Sequence, residues 1–348
     1  MIRISRNRLE YLIAFFIASS YTFSNVKVLS VDLNNIFAVI TFLISLFILD
    51  YRSIIGTIFI SLIIFFSTLN SVFHLEYWVT FIYKMLTTYP ILILVNGRCY
   101  KQAYTAALHS FIISNVIAIA YLIINQGTQH KFIIYFDVIP RYAALAKEPV
   151  SFAFFSLGVY ILYFFIDNKF NLKRTLFWYI PILFAVSGMI VVKVLADVLW
   201  KFKKAIYYYW IILIVPLSLV GYLLWVNTRI SASLTVRVAQ YFRILESIDF
   251  VFFGSGFYLA KGFIAGLPGL FRVYFELGII FCLCLAVVVI FNVYARQLWK
   301  YPILLLAILL PFLTEAYGAQ FVWMIFGFAF TYHKRIIFED NMKPVVLK

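Results

Sequence analysis

Apolar runs of about 17–22 residues, separated by short polar breaks, follow one another along most of the chain. Carried as a helix at about 1.5 Å per residue, such a run matches the hydrocarbon thickness of a bilayer. The runs predict about twelve spans, near 9–25, 33–49, 53–71, 78–96, 103–124, 150–166, 175–187, 188–200, 205–226, 270–292, 301–317 and 319–333. A transmembrane β-barrel would show short alternating segments instead. The expected fold is therefore all-α, a polytopic helical bundle forming one integral membrane domain over 1–348. The seventh and eighth runs are short and meet at Ser187–Gly188, as in a re-entrant or tightly turned pair. The opening "MIRISRNRLEYLIAFFIASSY" is basic and then apolar, with no small-residue cleavage site, so it reads as an uncleaved first span.

Composition strengthens this picture. With 65% hydrophobic and 12% charged residues, a soluble domain would lack polar surface to face water. The 20% aromatic content suits lipid-facing helices with interfacial belts. Most of the 29 Lys and Arg fall in segments that share one side, including the N-terminus, Arg98, Lys101, Lys169, Lys173, Lys201–Lys204, Arg296, Lys300 and the tail from Lys334. The positive-inside rule then places both termini in the cytoplasm, with an even number of spans. Two outward loops, 125–149 and 227–268, are longer than a membrane turn needs. They hold Lys131, Arg141, Lys147, Arg229, Arg237, Arg243 and Lys261, with Arg272 at their edge. Positive charge outside opposes insertion, so an anionic substrate or lipid headgroup is expected to meet it, in keeping with the net charge of +15.

The stretch "RYAALAKEPV" at 141–150 concentrates charge at the mouth of the sixth span. Arg141 offers a planar fork of donors suited to phosphate oxygens, or it snorkels to the interface without a ligand. Glu148, just before Pro149, caps the span through the helix dipole, or acts as a base or an orienter for Arg141; the two roles are compatible. In the second loop, Leu234–Ile248 is amphipathic at helical period, with Val238, Phe242 and Leu245 as the apolar stripe and Arg237 and Gln240 on a polar side. Arg243 lies about 120° around from Arg237, so the two could flank one ligand, or both could touch headgroups from an interfacial helix. The "GSG" at 254–256 offers unhindered N–H groups for an anion nest. Lys193 and Asp197, four apart within a span, are expected to neutralise each other, and Lys84 has no evident sequence partner. The four His and three Cys show no metal-ligand spacing, and no phosphate-loop, dinucleotide or Ser/His/Asp signature occurs.

Taken in order, these segments resemble the Wzy family of O-antigen and surface-polysaccharide polymerases. "PRYAALAKEPVSFAFF" resembles the Arg…Glu-Pro segment that enters a span in that family. "RILESIDFVFFGSGF" resembles its Arg-x10-Gly segment, with Arg243 and Gly254 in the matching places. "LFRVYFELGII" at 270–280 resembles the opening of the next span, through Glu276, Leu277 and Gly278, and "LPFLTEAYGAQFVWMIFGF" resembles the last hairpin. The resemblance covers about 135–330 and implies a metal-independent glycosyltransferase of the bacterial inner membrane, with its active site on the periplasmic side. Its substrates would be two undecaprenyl-diphosphate-linked glycans, donor and acceptor. Arg141, Glu148 and Arg243 would be catalytic, and Lys147, Arg237, Gln240, Gly254, Gly256, Arg272 and Glu276 would bind substrate. No cofactor, metal or nucleic acid is expected; membrane lipids and a chain-length regulator are the expected partners.

One family pattern is missing: an Arg-x15-Gly spacing from Arg141 would need a glycine one place before Gly158. Three rival functions remain, the third a membrane scaffold that organises polysaccharide assembly and would need none of these arginines. An O-antigen ligase resembles this architecture, but that family places a histidine in the large loop and 227–268 has none. A lipid-linked oligosaccharide flippase would have two related halves and bases at the midplane, whereas this chain shows no repeat and gathers its arginines outside.

Overall fold

A computed structural model of the chain describes residues 5–28, 31–69, 72–73, 75–124, 133–136, 139–146, 149–167, 171–185, 193–194, 197, 253–254, 269–295, 298, 301–312 and 320–341. Helices dominate them: α1 (Arg6–Thr22), α2 (Leu33–Ser45), α3 (Tyr51–Ser67), α4 (Leu75–Asn96), α5 (Tyr100–Ile124) and α6 (Pro149–Ile166). They are followed by α7 (Leu172–Phe177), α8 (Tyr179–Phe184), α9 (Gly269–Ala295), α10 (Pro302–Leu309) and α11 (Gln320–Asn341). Two antiparallel hairpins complete the described elements: β1 (Lys27–Val28) with β2 (Val31–Asp32), and β3 (Ile133–Phe136) with β4 (Ile139–Tyr142). Among the described residues, four helices are long and apolar enough to cross a membrane: α4, α5, α6 and α9. The expected spans at 188–200 and 205–226 fall almost wholly outside the described residues.

The centre of the bundle is α6. Pro149 opens it, where a missing N–H costs nothing and the fixed φ suits a first helical turn. Its apolar window is 83% buried, against 22% for α5 and for α9. A helix that is hydrophobic all round belongs inside, and α1, α5, α8, α10 and α11 enclose this one. Gly158 sits at the crossing with α11, where a Cβ would come within 2.5 Å of the Phe321 ring. The residue that misses the family's glycine spacing is thus a helix-packing glycine. Aromatic rings fill the rest of that seam: Phe155 lies 4.5 Å from Phe321 and 5.9 Å from Tyr21, centroid to centroid.

Helices α1 and α5 meet through small residues, with Ala14, Ala18, Ala103, Ala106 and Ala107 fully buried. Such residues let backbones approach where lipid supplies no hydrophobic drive. Hydroxyls tie the same contact, Ser19 Oγ donating to Ser110 Oγ at 3.1 Å and Thr22 Oγ1 pairing with Ser110 Oγ at 2.7 Å. Elsewhere Tyr100 donates to Thr331 (3.0 Å) and Asn96 to Ser53 (3.0 Å) across helices. The outer faces are the reverse: Phe47, Ile124, Ile290 and Phe291 are large, apolar and exposed. A bundle greasy on its outside and hydrogen-bonded within fits an apolar solvent.

Three of the predicted runs are broken or bent within their length, each for a local reason. The 175–187 run is broken at Trp178 into α7 and α8. Pro181 lacks an N–H, and its ring crowds the carbonyl four residues back, at Phe177, where α7 ends. The 301–317 run stops as α10 and passes into a 3₁₀ turn, Leu310–Phe312, at Pro311. Helix α9 is kinked at Gly278, whose φ of 74° and ψ of 176° leave the helical region.

Candidate functional site

In the "RYAALAKEPV" stretch, residues 141–146 and 149–150 are described. Arg141 lies in β4 opposite Ile134. The next residue, Tyr142, anchors the hairpin to the bundle: its hydroxyl donates to Asn115 Oδ1 at 3.0 Å, and its ring meets Phe152 edge-on at 5.3 Å. Burial pushes the Tyr142 phenol up to about 12, so it stays a donor throughout the neutral range. Ala143–Ala146 are buried at 1–3% exposure, and the Leu145 carbonyl accepts from the Asn25 N–H at 3.2 Å. Ala144 has a φ of 48°, a left-handed conformation that costs an alanine about 1–2 kcal/mol. The bend is therefore held by its surroundings rather than by local preference, and it delivers the chain to the start of α6. Beside it opens a cavity of about 540 Å³, lined by Phe111, Asn115, Tyr142, Phe152 and Pro181 among others, and almost entirely apolar.

A second convergence joins two segments distant in sequence. Gly254 packs directly on the backbone of α9 at Glu276 and Leu277, beside the kink at Gly278. A Cβ there would overlap the Glu276 carbonyl and lie 2.6 Å from the Leu277 carbonyl carbon. The Gly254 N–H donates to the Ser67 carbonyl at the end of α3, at 2.8 Å. That N–H is therefore not free for an anion nest, and the glycine's evident task is close approach of three backbones. Glu276 is 2% exposed, and the Ser67 hydroxyl, fully buried, has no hydrogen-bond partner among the described residues. Since the clash is with main chain, Gly254→Ala must displace α9 or the loop. It is expected to cost about 1–3 kcal/mol, the range for forced overpacking. Thermal unfolding of the detergent-solubilised protein checks this; an unchanged midpoint would mean that the approach is looser than described.

The remaining residues singled out from the sequence divide simply. Arg272 lies in the first turn of α9. Lys147, Glu148, Arg237, Gln240, Arg243 and Gly256 lie outside the described residues.

The expected Lys193–Asp197 pair is present, Nζ to Oδ2 at 2.7 Å, with the lysine side chain fully buried. Its surroundings were not legible from the spacing. Tyr160 of α6 donates to Asp197 Oδ1 at 2.5 Å and Tyr179 of α8 to Oδ2 at 2.7 Å. The Lys193 ammonium also lies 4.1 Å and 3.8 Å from the centroids of those two rings. The tyrosines thus give the carboxylate its remaining hydrogen bonds and the cation two π faces, which makes a buried charge pair tolerable.

Among the described residues, no group of three His, Cys, Asp or Glu is placed to hold a metal ion. Compared with protein-family models, curated proteins and solved structures, the chain matches none.

Proposed function

We propose that the protein polymerises polyprenyl-diphosphate-linked oligosaccharide repeat units into O-antigen or a related surface polysaccharide, at the periplasmic face of the bacterial inner membrane. In this reading the terminal hydroxyl oxygen of one repeat unit attacks the anomeric carbon of the glycan on the other carrier. The bond from that carbon to the diphosphate oxygen breaks, and polyprenyl diphosphate leaves with the electron pair. The hydroxyl proton passes to a base, for which Glu148 is the candidate, or Glu148 orients an arginine. Arg141, Arg237 and Arg243 stabilise the charge that develops on the leaving diphosphate, the task a divalent metal performs in other glycosyltransferases.

The observation that carries the proposal is the meeting of Gly254 with Glu276. They belong to the two segments, "RILESIDFVFFGSGF" and "LFRVYFELGII", that resemble consecutive parts of the polymerase family. A contact between them is what a shared site requires. The apolar cavity beside Tyr142, the residue that follows Arg141, supports the same reading, since a hydrocarbon carrier needs such a surface.

The test is electrophoresis of surface polysaccharide from a deletion strain and its complemented form. Deletion should leave glycan capped with a single repeat unit, and complementation should restore the ladder. A full ladder without the gene, or loss of even the first repeat, would overturn the proposal, the latter in favour of ligation or flipping.

A further inference from the structure

Between α3, α4, α9 and α11 lies a cavity of about 400 Å³, within the roughly 300–1,000 Å³ of typical small-molecule sites. Its walls are apolar, with Ile64, Leu92, Leu285 and Trp323 among them. Phe59 and Val288 also line it and are 63% and 50% exposed, so it opens sideways between α3 and α9, on faces otherwise suited to lipid. Polar groups gather in one place. Lys84, Thr87 and Thr88 share a turn of α4, and Gln320 at the start of α11 joins them in the lining. Both threonine hydroxyls donate to the Lys84 carbonyl, at 2.9 and 2.8 Å, so they offer the cavity lone pairs only.

Gln320 is 7% exposed, and its Oε1 has no hydrogen-bond partner among the described residues. Turned either way, the amide leaves an oxygen or a nitrogen at that buried position without a partner among the described residues. A buried amide without a partner is costly, and more so in a bilayer, where no bulk water reaches it. A hydroxyl, as both donor and acceptor, satisfies either end. Lys84, on the same wall of the cavity, adds a positive charge.

We propose that this cavity binds a bilayer phospholipid whose headgroup carries free hydroxyls, phosphatidylglycerol being the simplest. An acyl chain would lie along the apolar walls, the phosphate would meet Lys84, and a glycerol hydroxyl would complete Gln320. The site would clamp α4, α9 and α11 together from the lipid side. Its lining reaches Leu277, next to the Glu276 of the polymerase reading, but its test reads lipid binding rather than polysaccharide, so the two can fail separately.

The experiment is native mass spectrometry of the full chain released from mixed micelles holding phosphatidylglycerol and phosphatidylcholine with identical acyl chains. Retention of phosphatidylglycerol should exceed that of phosphatidylcholine by roughly tenfold or more, the worth of one charge-assisted hydrogen bond. In the Lys84→Met/Gln320→Met double variant, which keeps the length of Gln320 and all but one atom of that of Lys84, that preference should vanish. Because the ratio is read within one preparation, it does not depend on the variant's yield. Equal retention by the unmodified protein, or an undiminished preference in the double variant, would overturn the proposal. A second measurement needs no variant: phosphatidylglycerol photolabelled on its acyl chain should crosslink within 59–64 or 277–288. Label confined to other segments would overturn the proposal too.

Discussion

Replacing Asp197 with alanine is expected to cost about 3–5 kcal/mol of stability, the largest single-residue loss predicted for the described part of the protein. The lysine it neutralises is fully buried, 2.7 Å from the carboxylate. Removing the carboxylate strands that charge and takes the acceptor from Tyr160 and Tyr179 together. The two tyrosine faces cannot make up the difference, since a cation–π contact contributes about 0.5–2 kcal/mol. Lys193→Met combined with Asp197→Asn should recover most of the loss, because no charge is left to bury and the amide oxygen still accepts from a tyrosine. The measurement is the unfolding midpoint of each variant in the same micelle. Asp197→Ala unfolding with the unmodified protein would mean that Lys193 reaches water by another route. A double variant as unstable as the single one would mean that the tyrosine bonds, not the charge, hold the cluster.

Arg243→Ala is expected to slow chain extension by about 30- to 1000-fold, equivalent to roughly 2–4 kcal/mol of lost transition-state stabilisation. Its place in the Arg-x10-Gly segment, in a basic loop that the positive-inside rule expects on the outside, motivates the expectation. Arg243→Lys keeps the charge but not the planar fork, so it should retain partial activity if one-point contact suffices. Both variants should insert and accumulate normally. The readout is the polysaccharide ladder at matched protein level. A full-length ladder from the alanine variant would reduce Arg243 to a headgroup contact and leave Arg141 and Arg237 as the candidate diphosphate ligands.

Hydropathy placed a helix at each of its first six runs, as with 103–124 against Tyr100–Ile124 and 150–166 against Pro149–Ile166. Of these, only α4, α5 and α6 are long and apolar enough to cross a membrane, and the 33–49 run yields only Leu33–Ser45. A bilayer demands long apolar helices, and a window average detects them. The same averaging hides breaks. The 175–187 and 301–317 runs remain apolar through Pro181 and Pro311, yet the helices change there because backbone chemistry, not hydropathy, decides the matter. Gly278 is equally silent within an apolar run.

At the candidate site, the local signals were read correctly only where the interaction is local. Lys193 and Asp197 are one helical turn apart, and that spacing alone predicts their pairing. Tyr160 and Tyr179 reach Asp197 from other helices, and no period in the sequence marks them. Gly254 shows the opposite error. "GSG" suggests unhindered amides, whereas the glycine is needed because α9 and the end of α3 press against it. Gln320, whose buried amide makes the α3–α4–α9–α11 cavity notable, stands out only once its surroundings are known.

The enclosure of α6 also sets a timetable. It emerges from the ribosome roughly 150 residues before α11, the helix that covers Gly158 with Phe321. At about 5–20 residues per second, α6 waits about 8–30 s for that neighbour. During the wait its notch at Gly158 faces lipid or whatever helix drifts past. A chain stopped short of Gln320 would keep that notch open for good, so loss of the last helix should be felt first in the middle of the bundle rather than at its edge.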